Sequence, residues 1–160
     1  MKLTLLFGLM MLLFSACNRN VRKFEEAEKN ALQDFKNYFE KELGISTDSI
    51  SKRVFFLFNE TQCSSCKESA FAFFSELNIS NACFVFSYKL NSRSDLRDYA
   101  FKKNWCMVQD SVGAMQKYST GAEVAPTVIA VENGKFSYFA IYSDAKREQI
   151  KHDLEVILKK

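Results

Sequence analysis

Cys63 and Cys66 stand three positions apart in the stretch NETQCSSCKESAFAFF, residues 59–74. Thiols at this spacing suit three roles: a dithiol that exchanges with a partner disulfide, half of a zinc site, or two small apolar side chains of a core. The flanking residues discriminate between them. Ahead of the pair, RVFFLFN (53–59) is a short, unbroken apolar run rich in aromatics, the signature of a buried central strand. Behind it, KESAFAFFSEL reads as a helix with Ala70, Phe71, Phe73, Phe74 and Leu77 on a broad apolar side. Cys63 therefore falls where strand gives way to helix. There the free N–H groups and the positive end of the helix dipole favour a thiolate over a thiol. Cys66, one turn further in, lies within disulfide reach and is expected to be less exposed. This asymmetry divides the work: Cys63, the nucleophile, attacks a partner disulfide, and Cys66 resolves the mixed disulfide.

The elements that must hold this junction follow from periodicity. Phe24, Ala27, Ala31, Leu32, Phe35, Phe39 and Leu43 recur at helical spacing, with Gly44 as the stop signal, and predict an amphipathic helix packed on the domain or spacing it. ACFVFSY (82–88) predicts a second buried strand, and SRSDLRDYAFKKN a helix capped by Ser92 or Ser94. WCMVQD (105–110) predicts a third strand, and SVGAMQKYST a helical stretch broken by Gly113. APTVIAVENGKFSYFAIY predicts two strands joined at Asn133-Gly134, a strong hairpin signal. DAKREQIKHDLEVILKK closes the chain as a helix with Ile150, Leu154, Ile157 and Leu158 on one side. Helix and strand alternate through the first three strands, which demands parallel crossovers, and the hairpin adds antiparallel pairing. The predicted fold class is α/β: a three-layer sandwich whose central mixed sheet carries helices on both faces, with an extra N-terminal helix. A chain of 160 residues, 48% hydrophobic and with 16 phenylalanines, is enough for one domain with a sizeable core. Its net charge of +3 is scattered rather than clustered, so no nucleic-acid partner is expected.

The N-terminus reads as a processing segment. MKLTLLFGLMMLLFSAC has Lys2, an apolar run from Leu3 to Phe14 that is too short to span a bilayer, and the small residues Ser15 and Ala16. Cys17 after FSA resembles a bacterial lipobox, with Phe14 departing from the usual Leu. The expected organisation is a lipoprotein signal peptide over 1–16, a lipidated Cys17 with a tether to 22, an N-terminal amphipathic helix and linker over 23–51, and the main α/β domain over 52–160. Export places the remaining cysteines outside the reducing cytosol. The expected location is the cell envelope, lipid-anchored and facing the periplasm.

The chain has one proline, Pro126, immediately before the strand TVIAV and its hairpin. Proline is the residue that adopts a cis peptide cheaply, and a cis bond is expected here. VFFLFNETQCSSCKE and VAPTVIAVENGKF, in that order, resemble the thioredoxin-like superfamily. The longer stretch between them, LRDYAFKKNWCMVQDSVGAMQKYS, is similar to its exported, membrane-tethered branch, related to TlpA-type thioredoxins and peroxiredoxins. The resemblance covers roughly Lys52 to Lys160. It implies that a cis-proline loop packs against the CxxC, so that Ala125 and Pro126 form the substrate-side wall. It also makes Ser64 and Ser65 the pair that tunes thiolate stability, and Lys67 a charge favouring the thiolate. Leu57 stands where the family buries an acid, and Glu60 is the nearest carboxylate that would substitute. No Trp precedes Cys63; the sole Trp is Trp105.

Four cysteines other than Cys17 allow three pairings. Cys83 and Cys106, inside two predicted strands, read as buried free thiols; side-by-side strands would instead allow a second disulfide or a relay. No metal and no cofactor is expected, because those two cysteines are not a close-spaced pair and the sole histidine, His152, reads as exposed. A peroxidase reading lacks the proline and threonine setting that family places before its cysteine. The expected function is a thiol–disulfide oxidoreductase, more readily a reductase, acting on the thiols and disulfides of other exported proteins and held at the membrane near an electron donor. The alternative is a non-catalytic binding lipoprotein of the same fold whose CxxC is a structural disulfide.

Overall fold

A computed structural model describes residues 29–59, 61–87, 104–118, 122 and 124–159. The signal segment, Cys17, Glu60 and the helix expected between the second and third strands lie outside the described residues. Helical residues 29–37 run into a π-turn, Tyr38–Glu42, and together form α1. Gly44 ends it in the left-handed conformation at φ 66°, where a Cβ would be strained. Strands and helices then follow as β1 (Lys52–Asn59), α2 (Ser64–Glu76), β2 (Ala82–Ser87), β3 (Cys106–Gln109), β4 (Thr127–Glu132), β5 (Lys135–Ile141) and α3 (Arg147–Lys159). The expected helix around Gly113 is a single 3₁₀ turn, Ala114–Lys117. Gly113 itself sits at φ 68°, outside helical space, so no helix propagates through it.

The sheet has the order β3-β2-β1-β4-β5. β1 is central, parallel to β2 and antiparallel to β4, while β3 is parallel to β2 and β5 antiparallel to β4. Mixed pairing around an unbroken apolar strand is what the alternation of elements required. The β4–β5 turn has φ 51° at Asn133 and 75° at Gly134, as a type I′ turn needs. A Cβ on Gly134 would meet the Asp48 backbone at 3.1 Å, so the turn packs closely under the 47–51 segment.

Two apolar layers sandwich the sheet. Phe56, Phe58, Phe84 and Phe86 face Ala70, Phe73 and Phe74 of α2 and Ile150 and Leu154 of α3. Phe56 stacks on Phe74 with centroids 4.2 Å apart. On the opposite face Phe55, Leu57, Cys83, Val85 and Ile129 pack under Phe35, Tyr38 and Phe39 of α1. Alternation along β1 thus sends even-numbered residues to α2 and odd-numbered ones to α1. Among the described residues no helix is long and apolar enough to cross a membrane.

Asp110 fixes the end of β3. Its carboxylate accepts the Ala114 and Met115 N–H groups at 2.9 Å each and the Tyr38 hydroxyl at 3.1 Å, joining α1 to the sheet. Burial opposes its charge, but the Met115 and Ala114 N–H groups and the Tyr38 hydroxyl outweigh this and hold the carboxyl below its usual range. A depressed folded-state value stabilises the fold above the unfolded pKa of about 3.9, and the stabilisation is lost as pH falls through the folded value. Asp110→Asn is therefore expected to cost about 2 kcal/mol at pH 7, the scale of hydrogen bonds to a charged group. The gap to wild type should narrow in urea melts below about pH 3.9. A gap that stays constant down to pH 2.5 would contradict the carboxylate's role.

Candidate active site

β1 delivers the chain to the site. Its last residue, the fully buried Asn59, organises the turn: Asn59 Oδ1 accepts the Thr61 N–H at 3.3 Å and its carbonyl accepts the Gln62 N–H at 3.3 Å. Such an Asx turn is a local property of asparagine, which bonds its own backbone two residues on. Gln62 is buried with 3% exposure, and Cys63 follows as the N-cap of α2.

Cys63 and Cys66 form a disulfide with Cα atoms 5.2 Å apart, as their spacing anticipates. Cys63 Sγ accepts the Cys66 N–H at 3.1 Å, and the Ser65 Oγ lies 3.5 Å from the same sulfur. The Cys63 carbonyl takes the Lys67 N–H at 3.0 Å, closing the first helical turn. The sulfur thus occupies the position that an N-cap side chain uses to satisfy orphan donors, where negative charge is favoured. One expectation is corrected: Cys66 is exposed, as Cys63 is, because it falls in the first turn of α2, ahead of that helix's first buried position, Ala70. The asymmetry between the two sulfurs lies in hydrogen bonding instead. Ser64 and Ser65 are exposed beside them, and Lys67 is half-buried.

The opposite wall starts at β4. Thr127 is registered with Leu57, so Pro126 and Ala125 lie at the same end of the sheet as the Cys63–Cys66 loop. The expected cis bond is absent: no peptide bond among the described residues is cis, and Ala125–Pro126 is trans. X–Pro favours trans by only ~0.5–1 kcal/mol, a margin that local context decides and a lone sequence does not reveal. Pro126 is buried, and its carbonyl accepts the Tyr142 N–H at 2.7 Å. The Thr127 hydroxyl donates to the Ala125 carbonyl at 3.1 Å.

Two residues that the sequence did not single out join these walls. Gln62 Nε2 donates to the Ala122 carbonyl at 2.5 Å, bridging the cysteine loop and the segment leading to Pro126. Tyr142, bonded to Pro126 through its backbone, carries its hydroxyl to Ser69, one turn past Cys66, at 3.1 Å and to Asp144 at 2.8 Å. The Ser69 and Tyr142 hydroxyls hold the Asp144 carboxyl below its usual range. Neither partnership has a periodic signature, since each spans distant parts of the chain.

Cys83 and Cys106 are a second disulfide, Cα atoms 4.4 Å apart, in place of the expected free thiols. They are direct partners in the β2–β3 register, which brings their Cβ atoms together. Cys83 pairs with Phe55, four residues before Asn59. At about 3.3 Å per residue this puts the second disulfide roughly 13 Å below the exposed end, too far for direct exchange with Cys63 or Cys66. The alternative reading, side-by-side strands joined by a second disulfide, is the arrangement observed. His152 is exposed, as expected.

A central strand running into a CxxC helix, with an antiparallel strand returning beside it behind a proline, makes this an α/β protein whose mixed sheet carries an exposed CxxC disulfide at one end. Among solved structures the chain is similar to the crystal structure of StoA from Bacillus subtilis, at 19% identity and a TM-score of 0.36, covering 64% of this chain and 81% of that one. No family model matches the chain. No curated protein matches it either.

Proposed function

We propose that this chain is an exported, lipid-anchored thiol–disulfide oxidoreductase of the membrane-tethered thioredoxin-like branch, exchanging disulfides with other exported proteins. The observation that carries the reading is the exposed Cys63–Cys66 disulfide at the first turn of α2, with Cys63 Sγ on the Cys66 N–H. In the reducing direction the Cys63 thiolate attacks one sulfur of a partner disulfide. The Cys63–partner bond forms, the partner bond breaks, and the released thiolate takes a proton. Cys66 then gives up its proton and attacks the Cys63 sulfur, forming Cys63–Cys66 and expelling the second partner thiolate. Two electrons pass to the partner, and a membrane dithiol donor restores the pair. Ala125 and Pro126 present the backbone against which the partner chain lies, and Cys17 carries the lipid.

A redox titration of the folded chain, read by alkylation of Cys63 and Cys66, tests this. The pair should reduce in dithiothreitol, with a potential between about −270 and −120 mV, the range of exchange proteins. A pair that resists dithiothreitol while the chain stays folded overturns the reading. It would favour the binding lipoprotein with a structural CxxC, to which the fully buried, non-acidic Leu57 already points.

A further inference from the structure

We propose that Gln62 is a positioning residue that latches the Cys63–Cys66 loop to the Ala122–Pro126 segment, so that the thiols and the substrate-side backbone move as one unit. Gln62 immediately precedes the N-cap cysteine, and its backbone is held by the Asn59 carbonyl. Its side chain spans 60 residues of sequence to the Ala122 carbonyl at 2.5 Å. Ala122 is fully buried against the layer containing Leu57, Met115 and Ile129, so this end of the latch is anchored in the core. Val124, which is exposed, leads into Ala125 and Pro126.

A second observation concerns what the amide leaves unused. Gln62 Oε1 and Asn59 Nδ2, both buried, have no hydrogen-bond partner among the described residues. Buried polar atoms without partners are rare and unfavourable. A methionine at position 62 would fill a similar volume without stranding an acceptor, so packing does not account for the amide. The bond to Ala122 does. Its value to a thiol-exchange site is geometric, since an error of about 1 Å in placing a reacting group costs on the order of 10²-fold.

The kinetic part of the inference rests on the oxidoreductase reading; the latch itself does not. Full-length wild type, Gln62→Met and Gln62→Ala are compared by hydrogen–deuterium exchange, oxidised and reduced, and by dithiothreitol-driven insulin reduction. The Met variant should exchange the Ala122, Val124 and Ala125 amides about tenfold faster, the factor one hydrogen bond represents. Exchange in β1 and β2 should stay near wild type. In the insulin assay the loss should fall on KM, by about tenfold, with a much smaller effect on kcat. Wild-type exchange at these amides in the Met variant overturns the latch, as does acceleration spread evenly over the whole chain. Should wild type fail to reduce insulin while the local acceleration is seen, the oxidoreductase reading falls and the latch stands.

Discussion

Cys66→Ser is expected to accumulate covalent complexes with partner proteins, whereas Cys63→Ser accumulates none and loses exchange. The difference follows from the hydrogen bonding at the N-cap. Cys63 Sγ accepts the Cys66 N–H and lies 3.5 Å from the Ser65 hydroxyl, so an anion at this sulfur meets donors already in place. A free thiol of pKa about 8.5 is only ~3% thiolate at pH 7, so each donor that favours the anion raises the attacking fraction directly. A serine at 63 supplies no comparable nucleophile, and turnover should fall to background, roughly 10³-fold or more. A serine at 66 leaves the first attack intact and removes the second, which stops the reaction at the mixed disulfide. The serine itself can still donate its backbone N–H to Cys63, so the variant should fold and attack normally. Non-reducing gels of cell extracts, followed by intact mass of the adducts, read the outcome. Equal trapping by both variants would mean that the two sulfurs are interchangeable and the assignment of roles wrong.

Much of the positioning was legible in the sequence where it was a property of local periodicity. The unbroken run from Arg53 to Asn59 could be buried on both faces only as a central strand, and it is. Asn133-Gly134 had to supply two positive φ angles, and it does. The order of helix and strand determined that β1, β2 and β3 run parallel. Where an outcome depended on which distant residues meet, periodicity had nothing to report. The Cys83–Cys106 pair depends on the register of β2 with β3, and a shift of one residue would have turned the two side chains to opposite faces. Gln62 and Tyr142 became site residues only because β4 returns antiparallel beside β1. The trans bond at Pro126 and the exposure of Cys66 likewise depend on local tertiary context, which composition does not encode.

The second disulfide is expected to act on stability alone. Replacing both cysteines, Cys83→Ala with Cys106→Ala, should lower the unfolding free energy by about 3 kcal/mol, the loop-closure effect for a crosslink of this span. For a domain of this size that corresponds to a drop in melting temperature of roughly 10 °C. Cys83 is fully buried and Cys106 half-buried under α1, while Cys63 and Cys66 stand exposed. The same difference in access separates the two pairs chemically. Mild dithiothreitol followed by iodoacetamide should label Cys63 and Cys66 in the folded chain and leave Cys83 and Cys106 unlabelled until denaturant is added. The double variant should still reduce insulin at close to the wild-type rate below its melting point, because roughly 13 Å of sheet separates the buried pair from the exposed one. Labelling of all four sites at the same dithiothreitol concentration would show that burial does not shield the second pair. An unchanged melting temperature would show that the crosslink does not constrain the unfolded chain.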